Sequence, residues 1–417
     1  MSQTLCLNMI VKNESHIIEE TLKNLLQNIK FDYWVICDTG SSDSTKDIIT
    51  EFFSSLGIPG ELYEEPWKNF GYNRTHALQK AYNKTDYLFI FDADDKIHGS
   101  LKLPTPLIYD SYKFKFGTTI DGSYTRNLLI NNRKKWKYVG VLHEYIESDG
   151  LDERTIDFIN GGYYIQSGRS GARNKNPTKY LDDAIVLKNA YKEEAENKNT
   201  FLKSRYSFYC ANSYFDAEKY TDAIEWYKNT LEESGWIQEK YYSCLRLYYC
   251  YENLKQKENG LHFLVKSYKY DNERAECVYE LIKHYCIEKM HKISIMYYRV
   301  IQPIYETKIL TNKLFLNNSI YDFYLPYYMI ICCDYGKQYG LGIKMYKTIF
   351  LKKYNNVSEW WIKNLLHNLQ FFIDHIFEER EQFISLANEY INLFSKKYQV
   401  YTYDFMQKYV DKGIKII

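Results

Sequence analysis

Long apolar runs are missing from this 417-residue sequence. None approaches the roughly 18–20 residues that a helix needs to cross a bilayer, so no membrane-spanning helix is expected. An excess of charge of one sign is also missing: 54 Lys and Arg stand against 53 Asp and Glu. A chain whose main task is gripping a polyanion carries a basic excess. Nucleic acid is therefore not expected as a partner, although a local basic cleft stays compatible with the balance. Paired cysteines are missing too. The nine Cys are scattered and odd in number, and no Cys-x-x-Cys occurs; these spacings argue against a disulfide framework or a zinc site. Met1-Ser2-Gln3-Thr4 does not lead from a basic region into an apolar stretch, so a cytoplasmic protein is expected.

With 45% hydrophobic and 26% charged residues, the composition is that of packed, water-exposed domains and excludes global disorder. The length fits two or three domains. Tyr is abundant at 44 residues, and Lys greatly outnumbers Arg. Both trends follow AT-rich codons, as in AT-rich microbes and large DNA viruses; for a viral source the cytoplasm would be the host's.

The first 165 residues or so alternate strand and helix signals. Leu5 to Val11 is an apolar run of strand length, and Ile18, Leu22, Leu25, Leu26 and Ile29 follow at helical spacing. Tyr33 to Cys37 is a second buried strand. Ser42, Asp43 or Ser44 can cap the next helix. A third strand spans Glu61 to Glu64, a short helix runs from about Asn73 to Ala81, and Tyr87 to Phe91 is the most apolar strand. That order predicts a parallel sheet with helices on both faces. Tyr112 to Thr119 and Tyr124 to Asn131, separated by Asp121-Gly122, read as an antiparallel addition.

Gln166 to Lys179 is rich in Gly, Ser, Asn and Lys and is taken as the boundary, giving an α/β domain over 1–168 and an all-α domain over 169–417. The second half repeats. Tyr214, Tyr220, Ala223 and Trp226 are matched at the same offsets by Tyr251, Lys257, Gly260 and Phe263, by Tyr285, His291, Ser294 and Tyr297, and by Cys333, Tyr339, Gly342 and Met345. The first three windows start 37 and 34 residues apart and the fourth a further 48. Small residues flanked by aromatics at such a period predict a tetratricopeptide-like (TPR-like) stack; an irregular helical bundle is the plainer alternative.

Ligands of a parallel α/β sheet bind beyond the carboxyl ends of its strands. Lys12-Asn13-Glu14, Asp38 to Asp43, and Asp92-Ala93-Asp94-Asp95 all stand at such ends. If the strand stays extended, Asp92 and Asp94 face one side and Asp95 the other. Two carboxylates this close repel unless a cation joins them, and Mg²⁺ or Mn²⁺ takes one or two carboxylates together with substrate phosphates. A turn with solvated Asp side chains is the bland alternative. Asp38 reads either as a turn and cap residue or as a buried acceptor for an imide N–H such as that of uracil. Arg74 either reaches a diphosphate with paired hydrogen bonds or is a surface charge. His143 can complete a metal shell and Glu144 can act as a general base, or the His is structural.

Together these residues resemble the GT-A-fold, family-2-type inverting glycosyltransferases. Ile10 to Ser15 looks like the family's first strand end, Asp38 to Thr45 like its second, Trp67 to Leu78 like its loop-helix element, and Asp92 to Asp95 like its DxD element. Thr125-Arg126 and Trp136 to Glu144 are similar to a stretch of the sublancin-type peptide S-glycosyltransferases, which also carry a TPR-like half.

The resemblance implies a UDP-sugar donor with Mn²⁺ or Mg²⁺. Asp38 would bind the base, while Ile10, Lys12 and Glu14 would line the nucleotide pocket. Arg74 would lie near the diphosphate, and Arg126 would also belong to the donor-binding residues. Asp92 would serve the ribose or the metal, Asp94 the metal, and His143 would complete the shell. Glu144, or else Asp95, would take the acceptor's proton. Relatives often carry His-x-Gly where this chain has Gln166-Ser167-Gly168, which weakens metal binding if that His is a ligand. The acceptor would be a protein, peptide or glycan, and the helical half would serve acceptor choice or homodimer formation. The rival reading is an inactive nucleotide-binding scaffold that docks a peptide. Nucleotidyl transfer is disfavoured because no G-x-x-x-x-G-K or G-x-G-x-x-G follows the first strand.

Overall fold

The computed structural model describes residues 3–117, 124–197, 200–307, 310, 313–354, 356–377 and 379–398. The expected Asp121-Gly122 turn and the end of the preceding strand at Thr119 lie outside them.

The first compact unit runs to Ser234. Its early elements are β1 (Leu5–Val11), α1 (Ile18–Asn28), β2 (Tyr33–Asp38), α2 (Thr45–Ser55), β3 (Gly60–Glu64), α3 (Phe70–Ala81) and β4 (Tyr87–Ile90). β5 (Lys96–Gly99), β6 (Ser111–Phe116), β7 (Tyr124–Asn131), β8 (Trp136–Val139), β9 (Tyr145–Ser148), β10 (Ile156–Phe158) and β11 (Tyr163–Gln166) follow. Helices α4 (Lys179–Glu196), α5 (Thr200–Asp216) and α6 (Tyr220–Glu232) complete the unit.

The main sheet is mixed and mostly parallel, in the order β3-β2-β1-β4-β7-β6-β11-β5, with β10 beside β6. The four early strands are mutually parallel, and β7 turns the direction. Val11, Asp38 and Glu64 lie side by side in register at one carboxyl edge. Apolar residues fix this arrangement. Leu88, Phe89 and Ile90 of β4 are buried, each contributing about 1.5–3 kcal/mol relative to exposure. Ile18, Leu22 and Leu25 of α1 and Ile49 and Phe53 of α2 cover one face of the sheet, and Leu78 and Ala81 of α3 cover the other. β8 and β9 form a separate hairpin, tied to α3 by the Tyr138 N–H, which donates to Thr75 Oγ1 at 2.8 Å.

α3 begins three residues earlier than its apolar spacing suggests. Asn69 caps it, its side chain accepting the Tyr72 N–H at 2.8 Å. Asp43 does the equivalent work for α2, accepting the Thr45 N–H at 3.0 Å.

The second unit, from Gly235 onward, is helical throughout its described residues. It comprises α7 (Ile237–Asn253), α8 (Glu258–Ser267), α9 (Glu276–Ile287), α10 (His291–Thr307), α11 (Leu325–Tyr335), α12 (Tyr339–Lys352), α13 (Glu359–Leu369) and α14 (Arg380–Tyr398). The sequence windows fall on four helical hairpins: α5/α6, α7/α8, α9/α10 and α11/α12. Each turn holds one left-handed residue at the same offset, namely Glu218, Lys255, Lys289 and Lys337. In each, the following N–H closes the turn onto the carbonyl of Tyr214, Tyr251, Tyr285 or Cys333. The small residues Ala223, Gly260, Ser294 and Gly342 are all buried on the second helix. A Cβ on Gly260 would stand 3.0 Å from the Tyr248 backbone, so size is constrained there by the closeness of the two helices.

Candidate functional site

The loops after β1 and β2 are stitched together. Asn13 adopts a left-handed conformation (φ 55°), which Asn tolerates better than most residues. Its N–H donates to Ser41 Oγ at 2.8 Å, and its own Oδ1 accepts the Ser42 N–H at 2.8 Å. The Glu14 N–H donates to Thr45 Oγ1 at 2.8 Å. Asp38 is fully buried. Its Oδ1 accepts the N–H groups of Gly40 and Ser41 at 2.9 and 2.8 Å, and its Oδ2 is buried with no hydrogen-bond partner among the described residues. Both bland and functional readings of Asp38 are therefore structurally compatible: one oxygen builds the turn and the other is left over.

The acidic cluster is a turn. β4 ends at Ile90, and the Asp95 N–H donates to the Asp92 carbonyl at 3.2 Å, so the alternation expected of an extended strand does not apply. Asp92 and Asp94 still line one cleft, but Asp95 joins Asp92 through a shared arginine. Arg74 Nη2 donates to Asp92 Oδ1 at 2.6 Å, and Arg74 Nε to Glu144 Oε1 at 2.8 Å. Arg126 donates to Asp92 Oδ2 at 3.1 and 3.2 Å and stands 3.7 Å from Asp95 Oδ2. The result is one alternating chain of charge: Glu144, Arg74, Asp92, Arg126, Asp95. Burial would raise the Asp92 pKa, but Arg74 and Arg126 outweigh it and hold that carboxyl well below its usual range. Burial, and then the charge of Asp92, push Asp95 up to about 7.

The Gly-rich segment after β11 closes over the carboxylates with main-chain donors. The Gly168 N–H donates to Asp95 Oδ1 at 3.0 Å, the Gly171 N–H to Asp94 Oδ2 at 3.2 Å, and the Ala172 N–H to Glu14 Oε1 at 3.2 Å. A Cβ on Gly168 would stand 1.8 Å from the Asp94 carbonyl oxygen, so only glycine permits this approach. A Cβ on Gly171 would meet Asp94 Oδ2 at 3.0 Å and Glu14 Oε1 at 3.3 Å. Two carboxylates thus face one small cradle. Burial, and then the charge of Asp94, raise the Glu14 pKa against the opposing Ala172 N–H. Oxygen donors that repel each other in this way suit a hard divalent cation that takes one or two carboxylates and completes its shell elsewhere.

The cleft has a volume of about 660 Å³, within the usual range for a small-molecule site. Ile10, Lys12, Glu14, Arg74, Asp92 and Asp94, all candidates from the sequence, line it. Trp67 and Phe70 contribute an aromatic wall. Arg169, Arg173 and Lys179 also line it; sequence reasoning missed all three because the segment reads as a polar connection. The signal available was its density of cations beside two glycines.

Other expected residues lie elsewhere. Asp38, Asp95, Arg126, His143 and Glu144 are not among the cleft-lining residues. His143 lies with its ring flat on Tyr209 at a centroid distance of 3.9 Å, and its carbonyl accepts from Arg205 at 2.8 Å. Burial, then the charges of Arg205, Arg173 and Lys179, push the imidazole pKa down. Among the described residues, the ligand atoms of Asp92, Asp94 and His143 do not come together as a three-member group of metal-binding side chains; Asp92 is held by guanidinium groups and His143 by Tyr209. Gln166 Oε1 pairs with His98 Nε2 at 2.8 Å, so this amide is engaged away from the acidic turn.

Residues 6–105 match the family model described as Glycosyl transferase family 2. The N-terminal domain is a family-2 glycosyltransferase domain. An all-helical region follows it. The UDP-N-acetylglucosamine–dolichyl-phosphate N-acetylglucosaminyltransferase of Methanococcus voltae is 28% identical over 194 residues, covering 42% of this chain and 71% of that protein. Among solved structures, S. aureus TarS 1-349 in complex with UDP-GlcNAc is similar at 13% identity and a TM-score of 0.33, over 64% of this chain and 92% of that one. The mannosyltransferase PcManGT from Pyrobaculum calidifontis, in complex with GDP-Man and Mn²⁺, is similar at 18% identity and a TM-score of 0.23, over 28% of this chain and 36% of that one. A longer TarS chain is 14% identical with a TM-score of 0.33 over 62% of this chain. The chain spans about a third of the mannosyltransferase chain and about half of the longer TarS chain, at 36% and 54%. No helix of the described residues is long and apolar enough to cross a membrane.

Proposed function

We propose that the protein transfers a sugar, N-acetylglucosamine in the first instance, from a uridine diphosphate donor to a nucleophile on a protein, peptide or glycan. One observation carries the reading. The cleft of the glycosyltransferase domain sets five cationic side chains, Lys12, Arg74, Arg169, Arg173 and Lys179, against the three carboxylates Glu14, Asp92 and Asp94. Arg74 is shared with Glu144 and Arg173 pairs with Asp183, which leaves Lys12, Arg169 and Lys179 to meet the charge of a nucleotide diphosphate sugar, while the carboxylates give a place for a divalent ion. The choice of sugar follows the name of the Methanococcus relative.

Asp38 Oδ2 would accept the imide N–H of uracil, the missing partner of a buried oxygen. Arg74 and Arg126 would act mainly by holding Asp92 ionised and fixed. Mn²⁺ or Mg²⁺ would sit on Asp94 with Glu14 beside it and would supply neutralisation of charge on the diphosphate. Arg169 and Lys179 would stabilise the same charge from the segment that follows β11, beside Arg173, which is held by Asp183. The acceptor's lone pair would attack the anomeric carbon opposite the diphosphate. The carbon–oxygen bond would break with its electron pair leaving on UDP, and the acceptor proton would pass to Glu144, which borders the cleft through its 2.8 Å contact with the lining residue Arg74, with Asp95 second, inverting the anomeric centre.

A thermal-shift screen of nucleotide sugars on the full chain, with and without Mn²⁺, tests the reading, because a bound ligand raises the melting midpoint by mass action. UDP-GlcNAc with Mn²⁺ should give the largest rise, acceptor-dependent turnover should release UDP, and Asp94→Ala should remove both effects. Release of pyrophosphate, or turnover intact in Asp94→Ala, would overturn it.

A further inference from the structure

In three of the helical hairpins the turn brings together two corresponding positions, one near the end of the first helix and one at the start of the second. In α5/α6 these are Phe215 and Tyr220, whose rings stand 5.4 Å apart edge to face. In α7/α8 they are Glu252 and Lys257, an ion pair at 3.3 Å. In α9/α10 they are Cys286 and His291, which replace an ordinary packing or charge contact with a sulfur and an imidazole. Cys332 of α11 approaches the same point. A sulfur from each Cys and a ring nitrogen of His291 all lie within 4.8 Å of one another. Among the described residues this is the one group of three such side chains.

Three further details mark the cluster. Cys332 is fully buried and Cys286 nearly so. The thiols of Cys286 and Cys332 are in hydrogen-bonding contact with each other. His291 Nδ1 is buried and finds no hydrogen-bond partner among the described residues, while the ring is held by stacking on Tyr335 at 4.4 Å. A buried imidazole nitrogen without a partner costs free energy unless something else occupies it.

We propose that Cys286, His291 and Cys332 bind one zinc ion through two thiolates and an imidazole nitrogen. Soft sulfur with nitrogen is the donor set zinc prefers, in contrast to the all-oxygen cradle of Asp94 and Glu14. Three protein ligands leave the fourth tetrahedral position to water. Binding releases the two thiol protons, and the ion ties the α9/α10 turn to α11. The spacing of these residues gives no linear motif, because Cys332 reaches the others only through the stacking of one hairpin on the next.

The full chain, purified in reductant and stripped with a chelator, is titrated with Co²⁺ and then Zn²⁺. One Co²⁺ per chain should bind with thiolate-to-cobalt charge-transfer absorption and tetrahedral visible bands, and Zn²⁺ should displace it. Cys286→Ser and Cys332→Ser should each weaken binding by at least about 100-fold, since losing even a residue that only hydrogen-bonds to a metal's ligand costs about 10–100-fold. Cys250→Ser, a buried cysteine of α7 outside the cluster, should not change it. His291→Ala, at a partly exposed position, keeps the test alive if the buried variants do not fold; it too should abolish the tetrahedral spectrum. Co²⁺ bound without charge transfer, a spectrum unchanged in His291→Ala, or conversion of Cys286 and Cys332 to a disulfide by mild oxidant undiminished by Zn²⁺ would overturn the proposal.

Discussion

Arg74 Nη2 lies 2.6 Å from Asp92 Oδ1, and only 8% of the arginine side chain meets solvent. The pair joins α3 to the acidic turn after β4, and Arg126 takes the second carboxylate oxygen from β7. The acidic residue that sequence patterning marks as a metal ligand is thus held between two guanidinium groups. Asp94 is left as the carboxylate of that turn that faces the cleft with no side-chain cation on it among the described residues.

Arg74→Ala should therefore destabilise the fold as well as the site. Removing one partner of a buried pair typically costs about 3–5 kcal/mol, because the remaining charge stays buried. The low end is expected here, since Arg126 still holds Asp92. Urea unfolding measures it. The Arg74→Met, Asp92→Asn double variant should be more stable than Arg74→Ala; if both variants unfold at the wild-type midpoint, the pair does not hold the turn.

Much of this was legible beforehand, and the exceptions share a cause. β1 and β7 span the residues that apolar spacing marks, because burial on one or both sheet faces imposes that spacing. Asp92, Asp94, Lys12 and Ile10 reach the cleft because a parallel sheet puts its strand ends there. The Arg74–Glu144 contact joins residues 70 apart, and no local pattern encodes it. Gly168 to Arg173 reads as a connection because a loop that donates main-chain N–H groups to carboxylates needs the same small, flexible residues as a linker.

Stability should respond to pH through Asp95. Its pKa is raised in the folded protein, chiefly by burial, so the folded state keeps a proton that the unfolded chain has lost. Its contribution is favourable below the ordinary Asp range near pH 4 and is lost as pH rises toward about 7. Asp95→Asn removes the titration. Compared with wild type, it should gain stability at pH 8 and change little at pH 4. Denaturant midpoints at the two pH values check this; an equal shift at both would mean that Asp95 does not titrate in that window.

Gly168→Ala is predicted to damage the cleft while sparing the sheet. The new Cβ would collide with the Asp94 carbonyl oxygen, and the loop must lift, taking with it the N–H groups that cover Asp95, Asp94 and Glu14. Donor binding with Mn²⁺ should weaken by at least about tenfold, equivalent to about 1.4 kcal/mol. The far-UV circular dichroism should stay that of wild type. Calorimetry with UDP and Mn²⁺ reads the effect, and wild-type affinity in the variant would mean that the loop's closure is irrelevant to the donor.

The sharpest test of base recognition is Asp38→Asn. Oδ1 of Asp38 already accepts two main-chain N–H groups, and an asparagine carbonyl can keep both, so the turn should survive. The other atom changes from the unpartnered acceptor Oδ2 to an NH₂ donor. Uracil would then present an imide N–H to another donor, and UDP affinity should fall by about 10- to 150-fold, the range for losing a hydrogen bond to a charged group. Cytosine presents an acceptor at the same ring position. CDP should therefore lose less than UDP, or gain, in the variant. Competition calorimetry with the two nucleotides separates this from general damage: equal losses for UDP and CDP would assign Asp38 to the turn alone, because a disrupted loop has no reason to distinguish the two bases.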